Sequence, residues 1–217
     1  MIEAEHRKWA RFLFNPYINH LLKSNFNSFY LVNKLPQVNE SSGLIVTPNH
    51  FSWWDGFIID FISRKLIRRK IHIMMLEEQL KKYWFFRKVG AYSVKLTNPV
   101  STARTLNYTN KVLKSPKNFV VLYPQGKIQS FNAKGIIVKE GLRYMLNNIE
   151  CELYVMPLAV KVEYGNNKNP DIIAQFGLPL QGKVIRNDFN TFIEAFIDNI
   201  EKLKNCVDFE TSRDLLK

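Results

Sequence analysis

Apolar positions follow two rhythms along this chain. Compact runs rich in Val, Ile, Phe and Tyr predict strands over 44–47, 71–75, 91–96, 119–123, 154–162 and 172–176. Between them apolar residues return with helical spacing, which predicts helices over 55–69, 77–87, 100–114, 139–148 and 188–205. Strand and helix alternate, so the expected fold is α/β, a mixed and mostly parallel sheet flanked by helices. The first 30 residues read differently. Trp9, Phe12, Leu13, Phe14, Leu21 and Leu22 mark one or two amphipathic helices, with Asn15-Pro16 as the expected break. The expected organisation is an N-terminal amphipathic helical segment over 1–30, able to touch a membrane, and an α/β domain over 31–217.

Composition narrows the partners more than the fold. Lys and Arg number 31 against 19 Asp and Glu, a net charge of +12. Such an excess favours polyanions, whether nucleic acid, an anionic membrane face or a phosphate-bearing substrate, and does not choose among them. Residues 64–70 read Arg-Lys-Leu-Ile-Arg-Arg-Lys, and 81–88 read Lys-Lys-Tyr-Trp-Phe-Phe-Arg-Lys. Cations beside rings suit a bilayer interface; the alternative is a solvated helix end followed by aromatics packed in the core. No apolar run approaches the roughly 20 residues that span a bilayer, and charges interrupt the first turns where a signal peptide would lie. Cys151 and Cys206 stand far apart without metal-ligand spacing, so no metal is expected and a reduced cytosolic setting is the simpler reading. The expected location is cytoplasmic, peripheral on the cytoplasmic face of a membrane.

The chemistry concentrates where strands end. After Leu44-Ile45-Val46 the chain reads Thr47-Pro-Asn-His-Phe-Ser-Trp-Trp-Asp-Gly56. Pro48 stops the ladder of hydrogen bonds, and His50 and Asp55 follow in the turn. An imidazole can take a proton from a hydroxyl while a carboxylate holds its tautomer. Five positions along a regular helix rotate by roughly 140°, so these side chains converge only if His50 lies in the loop and Asp55 opens the next helix. The bare pattern also fits a hydrogen-bonded loop histidine beside an unrelated aspartate. A second apolar strand opens into Tyr123-Pro-Gln-Gly-Lys-Ile-Gln129. There Gly126 lets the backbone approach a ligand, and Lys127 offers an ammonium to a phosphate. The spacing of a P-loop is absent.

Several blocks in order change the picture: Asn49-His50-x4-Asp55, Gly90 with a strand after it, Tyr123-Pro124-x-Gly126, Lys139-x-Gly141 and Met156-Pro157-Leu158. Together they resemble the glycerolipid acyltransferase family, which includes the 1-acylglycerol-3-phosphate acyltransferases. The resemblance implies that His50 is a general base and Asp55 its orienting partner. It implies that Lys127, Gln125, Gly126 and Lys95 bind the acceptor and its phosphate, while Asn49, Ser52, Pro124, Lys139 and Pro157 support the site. The implied co-substrates are acyl-CoA or acyl carrier protein and a lipid acceptor, at an anionic membrane surface, with no cofactor. Ser52 reads as a helix cap rather than a nucleophile, and no G-x-S-x-G elbow is present, so direct transfer without an acyl-enzyme is expected.

The departures concern phosphate. The family's third block usually reads F-P-E-G-T-R-S; here Gln125 replaces the glutamate, Lys127 the threonine and Ile128 the arginine. In the second block Leu96, beside Lys95, stands where an arginine is usual. A bidentate guanidinium grip is missing twice, and lysines can replace it only as point charges. The expected activity is transfer of a fatty acyl group to a hydroxyl of a lysophospholipid. Alternatives are a non-phosphate acceptor such as a glycolipid or long-chain alcohol, and a lipid-binding homologue with weakened catalysis. From another class comes a nucleic-acid-binding domain, but no RRM, KH or helix-turn-helix signature accompanies the charge, so no nucleic acid is expected.

Overall fold

The computed structural model describes every residue from Met1 to Lys217. Nine strands make one sheet: β1 (Phe29–Leu31), β2 (Gly43–Pro48), β3 (Lys70–Leu76), β4 (Ala91–Val94), β5 (Asn118–Val121), β6 (Leu153–Glu163), β7 (Asp171–Phe176), β8 (Leu180–Gln181) and β9 (Arg213–Asp214). The helices are α1 (Lys8–Asn25), α2 (Asp55–Ile62), α3 (Glu77–Lys82), α4 (Phe85–Lys88), α5 (Pro99–Leu113), α6 (Gly141–Asn147), α7 (Gly182–Asn187) and α8 (Phe189–Lys204). Along the sheet the order is β4-β3-β5-β2-β6-β7-β1-β9, with β8 beside β6. The block from β4 to β6 is parallel throughout. β7 and β8 then meet β6 antiparallel, β1 runs parallel to β7, and β9 closes the edge antiparallel to β1. This is the mixed, mostly parallel sheet that the alternating pattern predicts.

Both faces of the parallel block are covered, which is why its strands read as continuous apolar runs. Leu44 and Val46 of β2 join one buried cluster with Phe119, Val121, Met156, Leu158 and the helices α1 and α2. Ile45, one residue between them, joins the other with Val120, Val155 and the helices α5, α6 and α8. The period of two thus sends successive side chains to opposite layers. Gly90, whose φ is +114°, makes the turn into β4 at a point where a side chain would run into the carbonyl oxygen of Ile71.

The N-terminus departs from expectation in two ways. α1 is one helix with Pro16 inside it, not two helices broken at Asn15-Pro16. A proline in a helix interior costs about 3 kcal/mol. Here Ala10, Phe14, Ile18 and Leu22 recur every fourth residue and are buried in the main cluster, which outweighs the local cost. Phe12 and Pro16 both lie on the exposed side, so the carbonyl left without a partner faces water. The expected boundary at residue 30 also falls inside β1, and α1 shares its core with β2, so residues 1–30 are built into the α/β layer structure. Ahead of α1, Ile2 exchanges hydrogen bonds with Ser93, and the main chain of Glu5 and Arg7 bonds to Arg87 and Lys88, covering the β4 edge.

Candidate active site

The site lies where the parallel strands end, the side on which open α/β sheets place their ligands. Pro48, the last residue of β2, sits opposite Leu158 of β6 and has no N–H to continue the ladder. Asn49 takes over. Its own N–H donates to the Leu158 oxygen at 3.1 Å. Its buried side chain accepts from the Val160 N–H at 2.7 Å and donates to the Val160 oxygen at 2.9 Å. A side-chain amide thus imitates one more residue of strand, and His50 leaves the sheet from a pinned position.

His50 Nδ1 donates to Asp55 Oδ2 at 2.6 Å. That oxygen also accepts the N–H groups of Phe51 at 2.8 Å and Ser52 at 3.1 Å. Asp55 Oδ1 accepts the Ser52 hydroxyl at 3.1 Å. Asp55 is the first residue of α2, so the exposed N–H groups and the positive end of the helix dipole favour its charge. The loop from His50 to Ser52 therefore wraps one carboxylate, and the wrapping makes loop residue and helix residue converge as their spacing requires. With the proton on Nδ1, His50 Nε2 carries a lone pair. No group in the chain bonds to Nε2, and the ring side chain is 27% exposed. Ser52 spends its hydroxyl hydrogen on Asp55 and accepts the Trp54 N–H at 3.1 Å, which makes it a brace of the helix entry.

The third-block loop closes the other side. The Tyr123 ring lies 4.5 Å from the His50 ring, centroid to centroid. Its hydroxyl is buried without a partner, and burial, with Asp55 nearby, holds its pKa well above the usual phenol value. Gln125, expected at the acceptor, is 3% exposed and turned toward the His50 main chain. Its Oε1 accepts the His50 N–H, and its Nε2 donates to Gln129 Oε1 at 2.8 Å. Gly126, at φ +66°, supplies a left-handed turn, and the Lys139 side chain crosses where its Cβ would stand. Lys139 also donates its N–H to the Pro124 oxygen at 2.8 Å, tying two of the expected supporting residues together. Pro157 pairs opposite Thr47 inside the sheet, a structural neighbour of the site.

The expected phosphate binders are less closely gathered. Lys127 is exposed on the third-block loop, two residues from Gln129, whose N–H donates to the His50 oxygen at 2.9 Å. Lys95 is exposed just past β4, and β3 and β5 lie between β4 and β2. Three strand spacings separate it from the His50 strand by about 14 Å. Ile128 and Leu96, standing for the family's arginines, are 55% and 68% exposed. Sequence reading named Tyr123 only as part of its block and passed over Gln129 as a site residue. The signal for the latter was available: two amides four residues apart in a loop that follows a strand.

An apolar groove of about 530 Å³ runs between Leu13, Phe14 and Tyr17 of α1, Trp53 and Phe57 at α2, and residues 82–86. This size lies within the range of small-molecule pockets, roughly 300–1,000 Å³. Trp84 of its lining is exposed, as are Trp9, whose ring meets Phe85 edge-on, and Phe12 elsewhere on α1. No helix is long and apolar enough to cross a membrane.

Comparison with known proteins follows the same residues. A family model described as Acyltransferase matches residues 30–161, from β1 to β6 and thus across every block of the site. A curated 1-acyl-sn-glycerol-3-phosphate acyltransferase of Streptococcus pneumoniae is 22% identical over 191 residues, covering 85% of this chain and 67% of that protein. The crystal structure of the 1-acyl-sn-glycerophosphate (LPA) acyltransferase PlsC from Thermotoga maritima is similar in fold. It has a TM-score of 0.57 and 15% identity over 93% of this chain and 84% of that one. Matched over more than half its length by that model, the chain belongs to the glycerolipid acyltransferase family.

Proposed function

We propose that this acyltransferase moves a fatty acyl group from a thioester, acyl-CoA or acyl carrier protein, to the free hydroxyl of a lysophospholipid, with His50 as general base and Asp55 orienting it. The observation that carries the reading is the 2.6 Å bond from Nδ1 to Asp55 beside an Nε2 with no partner in the chain. Nε2 takes the hydroxyl proton as the acceptor oxygen attacks the thioester carbonyl carbon. The tetrahedral oxyanion collapses, the carbon–sulfur bond breaks, and the imidazolium returns its proton to the leaving sulfur. One ester and one thiol result. Asp55 stabilises the imidazolium formed in between. A general base contributes about 10²–10⁴-fold, so alignment of acceptor and thioester must supply much of the rest.

The names of the relatives and the exposed ammonium of Lys127 support 1-acylglycerol 3-phosphate as acceptor. The exposed aliphatic side chains of Ile128 and Leu96 favour a second reading, an acceptor without a phosphomonoester. The groove between α1, α2 and α4 suits a hydrocarbon chain, and the exposed aromatics beside Lys81 and Lys82 suit an anionic membrane surface. The test is thiol release from acyl-CoA by the purified protein, with 1-acylglycerol 3-phosphate, monoacylglycerol and a long-chain alcohol as separate acceptors. Turnover of the first supports the leading reading, and turnover of the neutral acceptors alone supports the second. No acceptor-dependent thiol release, from acyl-CoA or from acyl carrier protein, overturns both.

A further inference from the structure

The loop that follows β5 holds His50 by its main chain. The His50 N–H donates to Gln125 Oε1, and the His50 oxygen accepts the Gln129 N–H at 2.9 Å. Gln125 Nε2 donates to Gln129 Oε1 at 2.8 Å, which closes a ring of hydrogen bonds around the His50 peptide. Gln129 Oε1 also accepts the Ile137 N–H at 3.3 Å. Each amide therefore has one allowed orientation, because a main-chain donor faces the oxygen of both. Both ends of the Gln125 amide are thus engaged within the chain.

We infer that Gln125 and Gln129 are positioning residues for His50, a neutral amide relay that fixes the main chain of the base. The inference rests on the reading of His50 as the base. It explains why this chain departs from the family's usual glutamate at 125: with Gln129 Oε1 held by Ile137, a carboxylate at 125 would set acceptor against acceptor. A glutamate at 129 has no such conflict, since that position only accepts through its side chain. The same Gln→Glu change is thus harmful at one end of the relay and harmless at the other. A site gripping the acceptor's phosphate would instead suffer from an added negative charge at either end.

The test is steady-state kinetics on Gln125→Glu, Gln129→Leu and Gln129→Glu, with His50→Ala as reference and the acceptor found by thiol release. Circular dichroism and thermal unfolding establish that each variant is folded. Misplacement of the base predicts that Gln125→Glu and Gln129→Leu lower kcat about 10- to 100-fold, with both KM values within about threefold of wild type. Gln129→Glu, which keeps the acceptor in place, recovers most of the turnover lost by Gln129→Leu. The activity of Gln125→Glu relative to wild type rises as pH falls from about 8 to about 6, because a protonated carboxyl again donates to Gln129. Wild-type kcat in Gln125→Glu, a change confined to the acceptor KM, or equal losses for glutamate at both positions overturns the positioning role. Should Gln125→Glu not fold, the contrast of leucine and glutamate at Gln129 decides alone. Full activity in His50→Ala overturns the base assignment and the relay with it; an inactive His50→Ala beside an unaffected Gln125→Glu sinks only the relay.

Discussion

Replacing Asp55 separates charge from scaffold. In Asp55→Asn the amide oxygen can take the place of Oδ2 and still accept from His50 Nδ1, Phe51 and Ser52, so the loop keeps its shape. What is lost is the negative charge beside the imidazolium. With about 4 Å between charge centres and an effective dielectric of about 20, that attraction is about 4 kcal/mol. The His50 ring is 27% exposed, so solvent screens it. Halving the attraction leaves about 2 kcal/mol as the lower bound. At 1.4 kcal/mol per factor of ten, kcat/KM should fall between about 30-fold and about 800-fold. Asp55→Ala should lose as much activity and stability besides, because two N–H groups lose their acceptor at about 1–3 kcal/mol each. Urea unfolding measures the second effect and initial rates of thiol release the first. An asparagine variant within threefold of wild type would refute the electrostatic role, and one as unstable as the alanine variant would refute the separation.

Lys127→Ala should raise the KM for a phosphate-bearing acceptor about tenfold and leave a neutral acceptor unchanged; equal kinetics with both would leave that lysine without a part in binding. Changing Phe12 and Trp84 together to serine removes two exposed rings, that of Trp84 from the lining of the groove. Partition onto anionic phospholipid vesicles, read by co-sedimentation, should weaken roughly tenfold or more, and unchanged binding would place the membrane face elsewhere. The His6 and His72 rings meet edge to face at 4.5 Å between centroids, and burial foremost pushes their pKa values down to about 3 and about 4. The folded state refuses protons that the unfolded chain accepts near 6.5. Stability is therefore complete above about pH 6.5 and is lost as pH falls through about 4, at a slope below about 1.4 kcal/mol per pH unit for each histidine. Urea midpoints between pH 7 and pH 5 check this, and His72→Phe should flatten the profile.

What was legible in the sequence is what a strand and its exit dictate. Ile45 facing one layer and Val46 the other follow from period two, and Pro48 had to end β2. For His50 and Asp55 the spacing stated only the condition for convergence, a base in the loop and a carboxylate opening the next helix, and left an unrelated pair open. The continuous α1 was not legible, because the packing of Phe14 and Ile18 that overrides Pro16 is tertiary. β1 and β9 were missed for a related reason: three and two residues carry no period, and pairing partners 143 to 184 positions away define them. α7 was missed as well, a single short helix ahead of α8. The bond of Gln125 to the His50 main chain was not legible either, because it joins two loops 75 positions apart.

The base assignment meets its most direct test in His50→Ala, assayed for acyl transfer at saturating thioester and acceptor after its fold is verified by circular dichroism. The proposed mechanism predicts a fall in kcat of about 10²-fold or more, the contribution of a general base. A folded His50→Ala enzyme that turns over within a few-fold of wild type would contradict it.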